Sequence, residues 1–243
     1  MSKELALPEQ YSLKPIGIVH SCFKEKFAIP RQPALVPAAK GEIELFSPYD
    51  DPVALEGLEE VSHLWLSFIF HQALPKENEV RLRVRPPRLG GNKKLGVFAT
   101  RATHRPNPLG LSVVKLDGIK NGRLQISGIV LLDGTPIVDI KPYLPYADSV
   151  SDACNGIAPA APEPKVDVSW QAQALEQLAV LKPADMSLAT VEALIVAMIA
   201  LDPRPAYKQS QDSGNFAMAV FGLDVQWQMQ ASNIAQIHNI IGR

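Results

Sequence analysis

Over the first 150 residues, short apolar runs recur between breaks of Gly, Pro and Asn, the signature of an all-β sandwich or barrel. The runs predict strands at 14–20, 42–46, 64–70, 82–85, 94–100, 111–116, 123–132 and 136–141. LWLSFIF is apolar on both faces of its pleat, so it reads as a buried strand. Asn121-Gly122 falls between two runs and marks a hairpin, because a type I′ turn needs positive φ at both central residues. One short helix is predicted, with Asp51 as N-cap, Pro52 in the first helical position and VALEGL behind them.

The pattern changes after Tyr143. Residues 144–165 place Pro145, Pro159, Pro162 and Pro164 among small residues without periodicity, which reads as a long ordered loop followed by a linker. VDVSW then predicts a strand and QAQALEQLAVL a helix. Leu188, Val191, Leu194, Ile195, Met198 and Ile199 fall on one helical stripe that ends before Pro203 and Pro205. Val225, Trp227 and Met229 alternate with Asp224, Gln226, Gln228 and Gln230 as a half-buried strand would. The expected organisation is mainly β: a β domain over 1–150, a loop or linker over 151–165, and a smaller α+β domain over 166–243, with no internal repeat.

Composition narrows the class. The 243 residues are 47% apolar, enough for the core of one large or two modest domains. No apolar run approaches the ~20 residues of a membrane span, and the N-terminal residues lack the apolar stretch of a secretory leader, so a cytoplasmic protein is expected. Cys22 and Cys154 have no metal-ligand spacing, and free thiols in a reducing compartment are the default. Net charge is −1, so any basic surface must be local.

One such surface is visible. KENEVRLRVRPPRLGGNKKLGVFATRATHR carries nine Lys or Arg against two Glu. A solvated strand face would account for the charge alone. Gly90-Gly91, between Arg88 and Lys93-Lys94, adds a place where backbone N–H groups approach phosphate closely. Spread along a stretch, Arg81, Arg83, Arg85, Arg88, Lys93, Lys94 and Arg105 suit nucleic acid better than a lone phosphate. In ATRATHRPNPLG, Pro106 and Pro108 stiffen a loop that projects Arg101 and Arg105, a means of holding an anionic group. Asp139, Lys141 and Tyr143 alternate and so share one strand face, which reads either as a polar site or as a structural Asp139–Lys141 ion pair. Arg31-Gln32 lies between two prolines, and His71-Gln72 ends the long apolar strand; neither pair persuades alone. GxGxxG after a strand, GxxxxGK[ST], CxxC, HExxH and GxSxG are all absent, so no Rossmann, P-loop, zinc or nucleophile-elbow chemistry is indicated and no metal is expected.

Taken together, FKEKF with IPRQP, HLWLSFIFHQ, RVRPPRLGGN, GVFATRATHRPNPLGLSVVKL, LLDGTPIVDIKPYLPYADS and DPRPAY closely resemble the TrmO family of tRNA methyltransferases. Ala102 and His104 depart from the Ser and aromatic residue common in relatives, beside intact Arg101, Arg105, Pro106 and Asn107. The resemblance implies a single-sheet β-barrel, S-adenosylmethionine as methyl donor, and a homodimer with donor sites near the subunit interface. It implies methylation of N6 of threonylcarbamoyladenosine beside the anticodon of threonine tRNA. Carried over, the donor site is expected at Pro30, Arg31, Gln32, His71, Gln72, Arg101, Leu111, Leu132, Asp133, Gly134 and Thr135. Asp139, Lys141 and Tyr143 are the candidates for managing the N6 proton. Two alternatives stand beside this reading: a non-enzymatic RNA-binding barrel, and a small-molecule enzyme using the Asp139–Lys141–Tyr143 face.

Overall fold

The structure is a computed structural model describing residues 10–30, 32–33, 35–74, 81–85, 93–204, 209 and 213–243. Its first part comprises β1 (Gly17–Ser21), β2 (Lys40–Leu45), β3 (His63–Ile69), β4 (Arg83–Val84), β5 (Leu95–Gly96), β6 (Leu109–Lys120), β7 (Arg123–Ser127), β8 (Thr135–Pro142) and the one-turn helix α1 (Pro145–Asp148). The second comprises β9 (Asp167–Trp170), α2 (Ala172–Leu181), α3 (Leu188–Ala200), β10 (Gly214–Val220), β11 (Leu223–Ala231) and β12 (Ile234–Gly242).

Six strands close into an antiparallel barrel in the order β1-β2-β7-β6-β3-β8, and β8 returns to β1 through pairs such as Val19–Thr135. Alternation decides which side chains fill it. Val19, Ile43, Leu64, Leu66, Phe68, Val114, Leu124, Ile126 and Ile137 are all buried and belong to one apolar core. So narrow a barrel is filled by its own side chains. The Asn121-Gly122 turn has φ of 52° and 73° and joins Lys120 to Arg123, the hairpin expected. Asp51 caps a 3-10 turn over Pro52–Leu55, its carboxylate accepting the Val53 N–H at 2.9 Å.

Three expected strands differ. The 94–100 run is strand only at Leu95–Gly96 and then coils into a 3-10 turn at Val97–Ala99, closed by Thr100 Oγ1 and N–H on the Val97 carbonyl. Its partner in the 82–85 run pairs over Arg83–Val84 alone, and the two form a separate ribbon outside the barrel. The 123–132 run stops at Ser127, where Gly128 takes φ +70°.

The smaller domain holds a sheet in the order β10-β11-β12-β9, with β9 parallel to β12. Val225, Trp227 and Met229 are buried in one cluster with Val191, Leu194, Ile195, Met198 and Ile199 of α3. The pattern had not marked β10 or β12. After α3, Arg204 is buried, paired with Asp202 at 2.7 Å, and donates to the Ser232 carbonyl at 2.8 Å, tying this segment to the β11–β12 turn. Among the described residues, no helix is long and apolar enough to cross a membrane.

Gly110 is paired with Phe68, and a Cβ built on it would lie 2.2 Å from the Phe68 ring. Gly110→Ala is therefore expected to destabilise by about 1–3 kcal/mol, read as a lowered unfolding midpoint. Gly96, whose Cβ would meet open space, provides the control: Gly96→Ala should stay close to the wild-type midpoint.

Candidate functional site

Register determines which loops meet. Antiparallel pairing sets the end of β1 against the start of β8, the start of β8 against the end of β3, and the end of β3 against the start of β6. The segments 22–39, 70–108 and 128–134 therefore all leave the same rim of the barrel. Every described residue expected at the donor site lies on these segments or within the first strand residues beside them.

The 131–135 segment is the best-anchored piece. Asp133 accepts the Ser21 N–H at 2.9 Å through one carboxylate oxygen and pairs with Lys24 at 2.8 Å through the other, while its own N–H donates to the Phe23 carbonyl. Ser21 Oγ donates to the Leu131 carbonyl at 2.7 Å, and Thr135 Oγ1 to that of Leu132 at 2.6 Å. The Asp133 carboxylate and the buried Thr135 hydroxyl thus hold the turn. What this turn offers a ligand is backbone at Leu132–Gly134; Gly134 has φ +77° and open space where a Cβ would stand.

The other loops dock beside it. Exposed Arg101 donates to Gln32 Oε1 at 2.7 Å, joining the 30–33 and 101–108 loops; this is its only hydrogen bond among the described residues. Pro30 is buried beneath this contact segment. His71 and Gln72 form a tight corner closed by the Ala73 N–H on the Phe70 carbonyl, and Lys26 Nζ donates to the Gln72 carbonyl at 2.6 Å. Leu111 is exposed on the outer face of β6, two residues from the rim. Arg31 lies outside the described residues.

The basic segment rises from this same rim, as the excursion between β3 and β6. Arg81, Arg83, Arg85, Lys93 and Lys94 are exposed along the β4–β5 ribbon. Arg105 is half-buried and donates to the Thr100 carbonyl at 2.7 Å, so part of its fork serves the loop itself. Arg88 and Gly90-Gly91 lie outside the described residues, as does the Pro205–Tyr207 end of DPRPAY.

Asp139, Lys141 and Tyr143 do share the outer face of the barrel, and Asp139 and Lys141 form an ion pair. They do not meet the rim loops. At ~3.3 Å per residue, Asp139 lies about 13 Å and Tyr143 roughly 25 Å along β8 from Thr135. Tyr143 sits at the opposite end, against the rings of Trp65 and His63 with centroids 5.9 and 6.4 Å away. Sequence reasoning missed Trp65 and Asp148: the indole N–H donates to Asp148 at 2.8 Å and clasps α1 against β3. No spacing rule announces a contact across that distance in the chain.

A closed, packed barrel with a loop-built polar site on one rim, a basic ribbon beside it and an appended α+β domain defines the class. The family follows from comparison. Residues 18–149 match the tRNA-methyltransferase O N-terminal domain and residues 163–242 the TrmO C-terminal domain. The chain belongs to the TrmO family. It is 53% identical over 232 residues to a Pseudomonas aeruginosa protein named as S-adenosylmethionine-dependent methyltransferase RcsF, covering 96% of this chain and 98% of that one. It is 44% identical to the tRNA (adenine(37)-N6)-methyltransferase of Escherichia coli, covering 90% and 93% of the two chains. A crystal structure of TrmO from Pseudomonas aeruginosa superposes with a TM-score of 0.79 at 46% identity, over 99% of this chain and 100% of that one.

Cys22 reports on the rim from inside. Burial pushes its thiol up to about 12, against a lesser pull from its own backbone and from Lys24. At pH 8 iodoacetamide is expected to label exposed Cys154 and spare Cys22. Asp133→Ala removes bonds worth about 1–3 kcal/mol to local closure, so Cys22 labelling should accelerate by roughly 5- to 150-fold, read by mass spectrometry of native protein.

Proposed function

We propose that this protein transfers a methyl group from S-adenosylmethionine to N6 of threonylcarbamoyladenosine next to the anticodon of threonine tRNA, acting in the cytoplasm as a homodimer. The observation that carries the reading is the convergence of the Gln32, His71–Gln72, Arg101 and Leu132–Gly134 segments on the rim from which the basic ribbon rises. S-adenosylmethionine supplies an electrophilic methyl on a cationic sulfur. The residues present fit such a donor: the Arg101 fork suits its carboxylate. The backbone of Leu132–Gly134 and the His71–Gln72 corner offer polar groups to the ribose and base. Rate would come chiefly from alignment of nucleophile and methyl by these loops. The target base stands in a single-stranded loop and leaves its stack at modest cost, while the ribbon arginines and lysines hold its phosphates.

N6 of the substrate is a urea-like nitrogen, so a proton must leave as the methyl arrives. Asp139, ion-paired with Lys141, and Tyr143 remain the candidates to take it. Tyr143 stands at the far end of its own barrel from the donor rim, so this role requires a second copy. Exposed Leu109 and Leu111 on β6 supply apolar surface that such a copy would cover.

The test is methyl transfer from labelled S-adenosylmethionine to threonine tRNA with and without the threonylcarbamoyl group. Transfer to the modified tRNA alone is the expected result; tRNA binding without donor binding would favour an RNA-binding module instead. Asp139→Asn and Tyr143→Phe should each slow transfer by at least about tenfold, roughly 1.4 kcal/mol in the barrier. A smaller effect removes that residue from the proton's path.

A further inference from the structure

Three consecutive residues after β1 are tied to three different parts of the molecule. Lys24 Nζ meets Asp133 at 2.8 Å, Glu25 receives the Arg243 guanidinium, and Lys26 Nζ donates to the Gln72 carbonyl at 2.6 Å. Lys24 and Lys26 thus hold two rim loops, while Glu25 between them is held by the residue that follows β12. The grip of the smaller domain is doubled next door, where Phe221 N–H donates to the Cys22 carbonyl at 2.9 Å. Phe221 and Gly222, both at positive φ, make the β10–β11 turn, and Arg243 N–H donates to the Gly222 carbonyl. Arg243 is itself steadied by Asp224 at 3.1 Å. Adjacent Cα atoms are fixed about 3.8 Å apart, so Glu25 does not shift without moving the backbone of Lys24 and Lys26.

We propose that Glu25 and Arg243 are positioning residues for the methyl donor: seating the smaller domain on the 24–26 strap sets the Asp133 and Gln72 loops and so raises donor affinity. The inference rests on the donor site being on this rim. It gives the smaller domain a second task besides any contact with tRNA. The Glu25 and Arg243 side chains are each about half exposed (48% and 44%), so the coupling is modest.

The experiment uses the full chain and S-adenosylhomocysteine as probe, titrated calorimetrically at low and high salt. Glu25→Gln and Arg243→Met are each expected to weaken its binding by about three- to fivefold at low salt, and less at high salt. The double variant should be no weaker than either single one, since both remove the same link. Arg243→Lys should bind within about twofold of wild type, because the charge on Glu25 is answered again. The KM for donor should rise in both single variants while the KM for tRNA stays within about twofold, a split that general destabilisation does not produce. Unchanged probe affinity in both single variants, or losses that multiply in the double variant, would overturn the proposal. Failure of the wild-type protein to bind the probe at all would instead remove the donor-rim reading beneath it.

Discussion

Closure of the six-stranded barrel is the constraint from which the rest follows. The β1–β8 pairing seals a cylinder too narrow to hold anything but its own side chains, and Val19, Ile43, Leu66, Leu124, Ile126 and Ile137 fill it. A ligand as large as a nucleoside has no room inside. The antiparallel register sends the three polar connections to the same end.

That rim is where the molecule's other parts join. The excursion between β3 and β6 lifts a basic ribbon from it, and the 22–26 segment carries the smaller domain's turn at Phe221–Gly222. Asp133 shows how the junction is held. Its carboxylate receives a backbone N–H from Ser21 and the ammonium of Lys24. These bonds fix the shape of the turn, with Gly134 left open beside it.

Much of the fold was legible where one local cause decides structure. Asn121-Gly122 demanded positive φ, Asp51 offered a cap, and Val225, Trp227 and Met229 alternated against glutamines. Reading failed where partners decide. The 94–100 run has the composition of a strand, yet beyond Gly96 it pairs with no strand among the described residues and coils on Thr100. β12 has alternating buried positions, interrupted by a register shift opposite Gln226–Trp227 that blurs the period. At the site, the segments were recognised through resemblance and from the glycines, prolines and arginines they carry. Their convergence, the Lys24–Asp133 tie and the Trp65–Asp148 clasp are long-range contacts that spacing does not encode. The distance of Tyr143 from the rim is likewise a fact of register, invisible until β8 is paired.

Hydrogen–deuterium exchange with and without S-adenosylhomocysteine tests the proposal that one rim of the barrel is the donor site. If it is, protection is confined to peptides covering 22–33, 70–73, 101–111 and 130–135, with little change at 40–45 or 123–127. Protection centred on the opposite rim, at 46–62 or 118–123, would contradict it.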